Sequence, residues 1–215
     1  MSGDKTVDSV DTYGNQGVAS SANVPGARQY AVSWIDSNNQ LWLFGGNGWG
    51  YDSDGITAKR GDLNDLWRWD GNNWIWISGN NKVDSTGNYN SMPGARLAAG
   101  SWADSNDQLW LFGGYGWGFA ADGLTLLRGE MNDLWRWDGK NWIWVSGDKF
   151  IDSAGNYGTQ GVSNSSNFPG ARNGANIQVD SNKQLWIFGG YGWGLSADGI
   201  TPARSYLNDL WNYEL

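Results

Sequence analysis

The chain of 215 residues contains neither cysteine nor histidine. Disulfides, thiolate nucleophiles and iron–sulfur clusters all need cysteine, so they are excluded for this chain, although its redox compartment stays undetermined. Histidine is the usual general base and the commonest ligand of zinc, copper and haem. We therefore expect no catalytic residues, no metal site and no cofactor.

Charged residues and long apolar runs are also scarce. Only 17% of the residues are charged, and 22 acids against 14 bases give a net charge of −8. Since phosphate binding needs a basic stripe, we expect no nucleic-acid partner. No run approaches the roughly 18 apolar residues of a membrane span, and residues 1–5 lack the apolar core of a signal peptide. We expect a soluble chain, from which a leader could have been removed upstream.

Glycine and tryptophan are abundant, with 33 and 17 copies, and they belong to a threefold internal repeat. Its markers are Pro-Gly-Ala-Arg at 25–28, 93–96 and 169–172, Phe-Gly-Gly at 44–46, 112–114 and 188–190, and Asn-Asp-Leu-Trp at 64–67, 132–135 and 208–211. Successive copies are displaced by 68 and then 76 residues, and the extra 8 fall in one segment before the third Pro-Gly-Ala-Arg. All tryptophans are locked to the repeat, so their first explanation is architectural.

Each repeat unit predicts four strands, which we call A to D. In the first unit A covers about 28–35, B about 40–45, C about 64–70 and D about 73–78, and Asn/Asp/Gly turns join A to B and C to D. Segments such as 41–44 are apolar on both faces, which is typical of a sheet packed between two others. The fold class predicted is all-β, with three four-stranded antiparallel sheets and about 11 strands, because the third unit lacks strand D.

An apolar strand ends in Gly-Gly in every unit, and an aromatic residue and a tryptophan flank the last turn. These residues are Gly45, Gly46, Trp69 and Trp74, then Gly113, Gly114, Trp137 and Trp142, and finally Gly189, Gly190 and Tyr213. The pattern resembles the kelch family of β-propellers, above all Trp-rich bacterial kelch arrays. The resemblance implies blades at about 26–78, 94–146 and 170–215, with 1–25 equivalent to an interblade connection and the glycines structural.

The third blade is incomplete in this sequence. The start does not replace its strand D, since Ser2-Gly3-Asp4-Lys5 matches Ser146-Gly147-Asp148-Lys149, which follows a D strand. Propellers usually have four to eight blades, so three leave two Trp-rich faces uncovered. We expect head-to-tail self-association, most simply a homodimer with six blades; the alternative is that further blades of a longer parent chain complete the ring. Strand C of the third unit is also an edge to which another chain could add a strand.

The B–C and D–A connections are predicted to be long loops on one face, at about 46–63 and 79–95 in the first unit, and any ligand site is expected there. Each B–C loop carries Gly-Trp-Gly and Asp-Gly. The candidate ligand-binding residues are Trp49, Trp117, Trp193, Tyr115, Tyr191, Asp54, Asp122 and Asp198. They suit sugar recognition, with stacking on indole and hydroxyl hydrogen bonds to the acid. The alternative is that the tryptophans fold inward and cover the blade.

Two further sets of charged residues are locked to the repeat. They are Arg28, Arg96 and Arg172 with Asp65, Asp133 and Asp209. We interpret them as structural: buried arginines, held by carboxylates or turn carbonyls, that tie neighbouring blades together. A third set, Arg60, Arg128 and Arg204, is expected to pin the B–C loop to its own aspartate.

The kelch resemblance raises one enzyme class, the galactose-oxidase-like copper enzymes. Their copper is held by histidine and tyrosine, and a cysteine is cross-linked to a tyrosine, so this chain is not expected to be such an enzyme. A hydrolase that uses carboxylates alone is disfavoured because the aspartates recur identically in every unit. We expect a non-catalytic module for binding or assembly, with a lectin-like carbohydrate surface or a protein-binding one as the alternative. The resemblance favours an extracellular or cell-envelope location.

Overall fold

The computed structural model describes Gly3 and residues 5–214. Fourteen strands form three antiparallel sheets, and this part of the chain contains no helix and no sheet that closes on itself. The all-β class expected from the sequence is confirmed. The expected match of Ser2 and Asp4 to the segment after a D strand, and the expected end of the third unit at Leu215, lie outside the described residues.

Each sheet is built from consecutive strands of one repeat. The first contains β1 Arg28–Gln29, β2 Val32–Ile35, β3 Leu41–Tyr51, β4 Ala58–Trp69 and β5 Trp74–Ser78. The second contains β6 Arg96–Leu97, β7 Gly100–Ala103, β8 Leu109–Phe119, β9 Leu126–Trp137 and β10 Trp142–Ser146. The third contains β11 Arg172–Asn173, β12 Asn176–Val179, β13 Gln184–Leu195 and β14 Pro202–Glu214. In the first sheet β1 and β2 both pair with β3, and β4 lies between β3 and β5.

The predicted strand A is two short strands in every repeat, so the expected count of about 11 strands is too low. β1 pairs with the far half of β3 and β2 with its near half. Between them the chain turns through a left-handed residue, which is Tyr30 (φ +55°), Ala98 (φ +51°) or Gly174 (φ +62°). Two of these three residues carry a side chain that disfavours this conformation, so the sequence did not signal the break.

The predicted B–C loop of 46–63 is wrong, because most of it is a hairpin. β3 continues to Tyr51, β4 already begins at Ala58, and only the residues between them form a turn. The sequence suggested a loop because glycine recurs at every second position. One of those glycines, Gly50, leaves room for the connection that crosses the hairpin, since a β-carbon on it would lie 3.1 Å from the Val83 side chain. Trp49 therefore lies on a strand and not in a loop.

Neighbouring sheets pack through the same residue types at both junctions. At the first junction Phe44 and Leu66 are buried against Leu109, Leu111 and Trp142 of the second sheet. The rings of Phe44 and Trp142 meet edge to face with centroids 5.3 Å apart. The second junction uses Phe112 and Leu134 against Leu185 and Ile187. Because full burial of one such side chain contributes about 1.5–3 kcal/mol, each junction is a substantial part of the core.

Gly45 stands where the second sheet approaches the first closely. A β-carbon at this position would lie 2.8 Å from the carbonyl oxygen of Arg96 and 2.9 Å from that of Leu63. The residue also has a φ of +64°, and it lies at a bulge where the pairing of β3 with β4 shifts register. Gly113 repeats the same approach to the third sheet, at 2.7 Å from the carbonyl oxygen of Arg172. Glycine at this position is needed for the sheets to stack.

The replacement Gly45→Ala should lower the free energy of unfolding far more than Gly174→Ala. Both place alanine at nearly the same left-handed φ, +64° and +62°, where the backbone strain is about 1–2 kcal/mol. Only at Gly45 does the new carbon meet backbone, since nothing lies within 4 Å at Gly174. We expect a further loss of about 1–3 kcal/mol for Gly45→Ala in urea denaturation. Equal losses would contradict the close approach of the sheets.

Candidate functional site

A buried ion pair crosses each sheet. Arg28 on β1 donates two parallel hydrogen bonds to Asp65 on β4, at 2.7 and 2.9 Å. The same bidentate pair joins Arg96 to Asp133 at 2.6 and 2.9 Å and Arg172 to Asp209 at 2.6 and 2.8 Å. Both partners belong to one sheet, so the expectation that these pairs tie neighbouring sheets together is wrong. Strands A and C flank strand B, and the guanidinium spans it.

Backbone carbonyls take two further donors of each guanidinium. Nε of Arg28 donates to the carbonyl of Gly26 at 3.3 Å, and Nη1 donates to that of Gly45 at 3.1 Å. Arg96 uses Gly94 and Gly113, and Arg172 uses Gly170 and Gly189. The Pro-Gly segment, the Gly-Gly bulge and strand C are therefore held by one side chain. A buried charge requires pairing and hydrogen bonds of this kind.

A tyrosine and a tryptophan complete each cluster. The hydroxyl of Tyr13 and the indole N–H of Trp67 both donate to Oδ2 of Asp65, at 2.9 and 2.6 Å. The equivalent donors are Tyr89 and Trp135 to Asp133, and Tyr157 and Trp211 to Asp209. We did not predict the tyrosines. Their regular spacing was the available signal: the three tyrosines are 76 and then 68 residues apart, whereas the other markers are 68 and then 76 apart. The order differs because the segment of variable length follows the tyrosine and precedes Pro-Gly-Ala-Arg.

Ion pairs between sheets use a different set of arginines. Arg128 reaches back to Asp62 of the first sheet at 2.8 Å, and Arg204 reaches back to Glu130 of the second at 2.5 Å. The expectation that these arginines pin their own hairpin to its aspartate is wrong. Each guanidinium also lies over a tyrosine ring of its own sheet, Tyr115 at 4.9 Å and Tyr191 at 5.1 Å. In the first sheet Arg60 instead donates to Asn47, at 3.1 Å.

The hairpin tryptophans are half-buried against the connection that precedes their sheet. The indole N–H of Trp49 donates to Asp8 at 2.8 Å, and that of Trp117 donates to Asp84 at 2.9 Å. Nε1 of Trp193 is buried and has no hydrogen-bond partner among the described residues. Contacts of this kind favour the inward, structural interpretation of the tryptophans over a stacking platform for sugars.

The hairpin aspartates bond within their own turns. Asp54 accepts hydrogen bonds from the backbone N–H groups of Ile56 and Thr57 and from the Thr57 hydroxyl. Asp122 and Asp198 make the same three contacts with Leu124 and Thr125 and with Ile200 and Thr201. The hydroxyl of Thr57, with the two N–H groups, lowers the pKa of Asp54 to about 2. The tryptophans, tyrosines and aspartates predicted to bind a ligand thus contact different groups: aspartates of the connections, arginines, and residues of their own turns, respectively.

Asp11 adds a second carboxylate to the cluster of the first sheet, at a position where the other repeats have glycine. It accepts hydrogen bonds from the backbone N–H of Gly26 and from the Arg28 guanidinium, and it shares the single proton of the Tyr13 hydroxyl with Asp65. Burial raises the pKa of Asp11 to about 6 against the attraction of Arg28, and the charge of Asp65 raises it further. Two carboxylates therefore compete for one guanidinium.

The open side of the first sheet carries a groove of about 450 Å³. Trp69 and Trp74 form one wall, and residues of the N-terminal connection, such as Asn23 and Val24, form the other. Among the described residues no group of three or more acidic side chains is placed to hold a metal ion. The same part of the chain has no helix of the length and hydropathy needed to cross a membrane.

Comparison with known proteins identifies no family. No protein-family model and no curated protein matches the chain. A mannose phosphorylase from Leishmania mexicana in complex with phosphate matches 88% of this chain and 50% of its own, at 12% identity and a TM-score of 0.34. A fungal alcohol oxidase of the AA5 family in complex with copper matches 88% of this chain and 46% of its own, at 12% identity and a TM-score of 0.37. The chain spans about half the length of these structures, and TM-scores this low carry no argument about activity.

Replacing Trp117 by phenylalanine should cost more stability than the same change at Trp193. Both changes keep an aromatic ring on the hairpin, but only Trp117 loses a hydrogen bond, the one to Asp84. We expect Trp117→Phe to lower the free energy of unfolding by about 1 kcal/mol more than Trp193→Phe. Thermal denaturation of both variants checks this. A larger loss for Trp193→Phe would contradict the assigned partners.

Replacing Asp11 by asparagine should raise stability at pH 7 and flatten its pH dependence. The pKa of Asp11 rises from 3.8 to about 6 on folding, so its contribution to stability is full below pH 3.8 and is lost as the pH rises through about 6. The parent chain should lose on the order of 1–3 kcal/mol between pH 4 and 7, and Asp11→Asn should lose less. Urea denaturation at several pH values measures both, with Asp54→Asn as a control that leaves the slope unchanged.

Proposed function

We propose that the chain is a non-catalytic kelch-type propeller module that assembles head to tail with a second copy. One observation carries the proposal: the outer face of the third sheet displays the residues that the first two sheets bury at their junctions. Phe188 is 46% exposed and Leu210 60%, whereas Phe44 and Leu66 at the equivalent positions are 1% and 0% exposed. We call Phe188, Leu210 and Tyr206 the trailing face.

The opposite side of the first sheet has the complementary composition. Leu41, Leu43, Trp69 and Trp74, here called the leading face, are the equivalents of residues that the second sheet buries against the first. The leading face is only half-buried in one chain. Stacking the trailing face of one copy on it would repeat an internal junction, with Phe188 meeting Trp74 as Phe44 meets Trp142.

Charged residues support the same junction. Between sheets an arginine reaches back to an acid of the preceding sheet, and the arginine of the first sheet, Arg60, has no such acid in the described residues. The position that would serve it on the third sheet is Tyr206, equivalent to Asp62 and Glu130, and Tyr206 is 85% exposed. An Arg60 guanidinium over the Tyr206 ring would be a cation–π contact.

Two copies would supply six blades, which lies within the range of about four to eight that propellers use. A head-to-tail contact closes a ring if the rotation per sheet suits and otherwise gives a fibre. Further blades of a longer parent chain would cover the same two faces with the same chemistry. Sugar binding by the hairpin residues is not proposed, because the indole N–H groups of Trp49 and Trp117 are engaged and Asp54, Asp122 and Asp198 cap their turns.

Light scattering at micromolar concentration tests the assembly. We expect a particle whose mass is a multiple of 23.6 kDa, and we expect Phe188→Asp, Leu210→Asp and Arg60→Glu to shift it towards the single chain. The matched control is Ile200→Asp, which changes an 81% exposed apolar residue at a hairpin tip and should leave the mass unchanged. Circular dichroism of each variant verifies folding. A parent chain that stays monomeric, or loss of assembly with Ile200→Asp as well, would contradict the proposed junction.

A further inference from the structure

The outermost strand of the first sheet is held on both edges. On one edge β5 pairs with β4, with Trp76 opposite Trp67. On the other edge the N-terminal connection lies along it: the backbone N–H of Gly17 and the side-chain amides of Gln16 and Asn23 donate to carbonyls of β5 at 2.7–3.0 Å. This segment, 16–23, contains the extra residues that the second repeat lacks.

Strand β5 also completes an aromatic group. The Tyr13 ring lies between Trp67 of β4 and Trp76 of β5, with centroids 5.1 and 4.9 Å away. In the second repeat Tyr89 contacts Trp135 and Trp144 in the same way, at 5.4 and 6.1 Å. A tryptophan in the middle of the outermost strand is therefore part of the cover over the buried ion pair.

The third repeat retains the strand and the hydrogen-bond donors that hold the outermost strand in the first repeat. β14 is equivalent to β4 and pairs only with β13 among the described strands. Segment 160–167 is equivalent to 16–23 and keeps the three donors as Gln160, Gly161 and Asn167. We call the free edge of β14 at 210–213, together with segment 160–167, the strand-binding groove.

The aromatic group of the third repeat is left with two of its three rings. The ring centroids of Tyr157 and Trp211 lie 5.2 Å apart, and within the described residues no third ring contacts the tyrosine. As a result the Asp209 side chain is 19% exposed, whereas those of Asp65 and Asp133 are 0% exposed. The opening exposes the acid of the ion pair, which the other two repeats bury completely.

An asparagine provides a further unmatched contact. Oδ1 of Asn64 accepts the backbone N–H of Asn80, and Oδ1 of Asn132 accepts that of Asp148, each at 3.0 Å. Both donors lie two residues beyond the outermost strand. The equivalent Asn208 is exposed and receives no such bond in the described part of the chain.

We propose that the strand-binding groove binds an extended segment of the pattern Trp-Ile-Trp-Val-Ser-Gly-Asp, antiparallel to β14. This is the sequence of β10 with the two residues that follow it. The bound strand satisfies the β14 edge, its second tryptophan covers Tyr157, its carbonyls accept from Gln160, Gly161 and Asn167, and its last N–H reaches Asn208. Strand addition of this kind takes affinity from the backbone and specificity from alternate side chains. The site uses a sheet edge, so it is distinct from the trailing face.

Fluorescence anisotropy with a labelled synthetic peptide of residues 140–148 tests the groove on the full chain. We expect saturable binding with one peptide per chain. A peptide with Trp144 replaced by alanine should bind at least about tenfold more weakly, because it cannot cover Tyr157. Equal binding of a scrambled peptide of the same composition, or no binding of the parent peptide, would overturn the proposal.

Protein variants locate the site. Gln160→Ala and Asn208→Ala should each weaken peptide binding about three- to tenfold, as expected for one lost hydrogen bond. Gln16→Ala is the matched control, since Gln16 already bonds to β5, and it should leave the affinity unchanged. Phe188→Asp should bind the peptide as the parent does, so failure of head-to-tail assembly and failure of this proposal are separable. Peptide affinity unaffected by both Gln160→Ala and Asn208→Ala would refute the groove.

Discussion

The buried arginine of each repeat is the interaction on which the rest of the structure depends. A guanidinium out of water destabilises the fold unless every donor is used and the charge is paired. In the first sheet two carboxylates, Asp65 and Asp11, and two glycine carbonyls accept all of its hydrogen bonds. The carbonyl of Gly45 lies at the Gly-Gly bulge of strand B, where the pairing with strand C shifts register. The backbone irregularity of each sheet thus lies where its buried charge is bound.

The repeat also distinguishes the contacts that recur from those that do not. The bidentate arginine–aspartate pair recurs in all three sheets, with both partners in the same sheet. Departures from symmetry occur in the first and third repeats. Asp11 is added in the first repeat, an acid gives way to Tyr206 in the third, and among the described strands the outermost strand has no counterpart beside β14. Both proposed interactions use residues at these departures. There the described part of the chain supplies one partner of a contact that is complete elsewhere in the molecule, but not the other partner.

Much of the fold could be predicted because repetition makes spacing informative. The register of the tryptophans and the short turns predicted the sheets and their order along the chain. The hairpin extension was missed since Gly48 and Gly50 look like loop residues, whereas Gly48 makes room for Ala27 and Arg28 and Gly50 for Val83 of the crossing connection. The break in strand A was missed because Tyr30 and Ala98 are poor residues for a left-handed turn. Residue type and spacing identified the arginines that form ion pairs. They did not show whether the acidic partner of each arginine lies in the same sheet or in the preceding sheet.

The uneven connections have a consequence for how the protein behaves at high concentration. The second repeat lacks the residues that run along β5, so the outer edge of β10 has no hydrogen-bonded cover in the described part of the chain. Exposed edges invite strand pairing between molecules and aggregation. β10 is only five residues long and shifts register between Trp144 and Ser146, which breaks the regular row of donors and acceptors. The short length and irregular register of β10 therefore disfavour strand pairing between molecules at an edge that no connection covers in the described part of the chain.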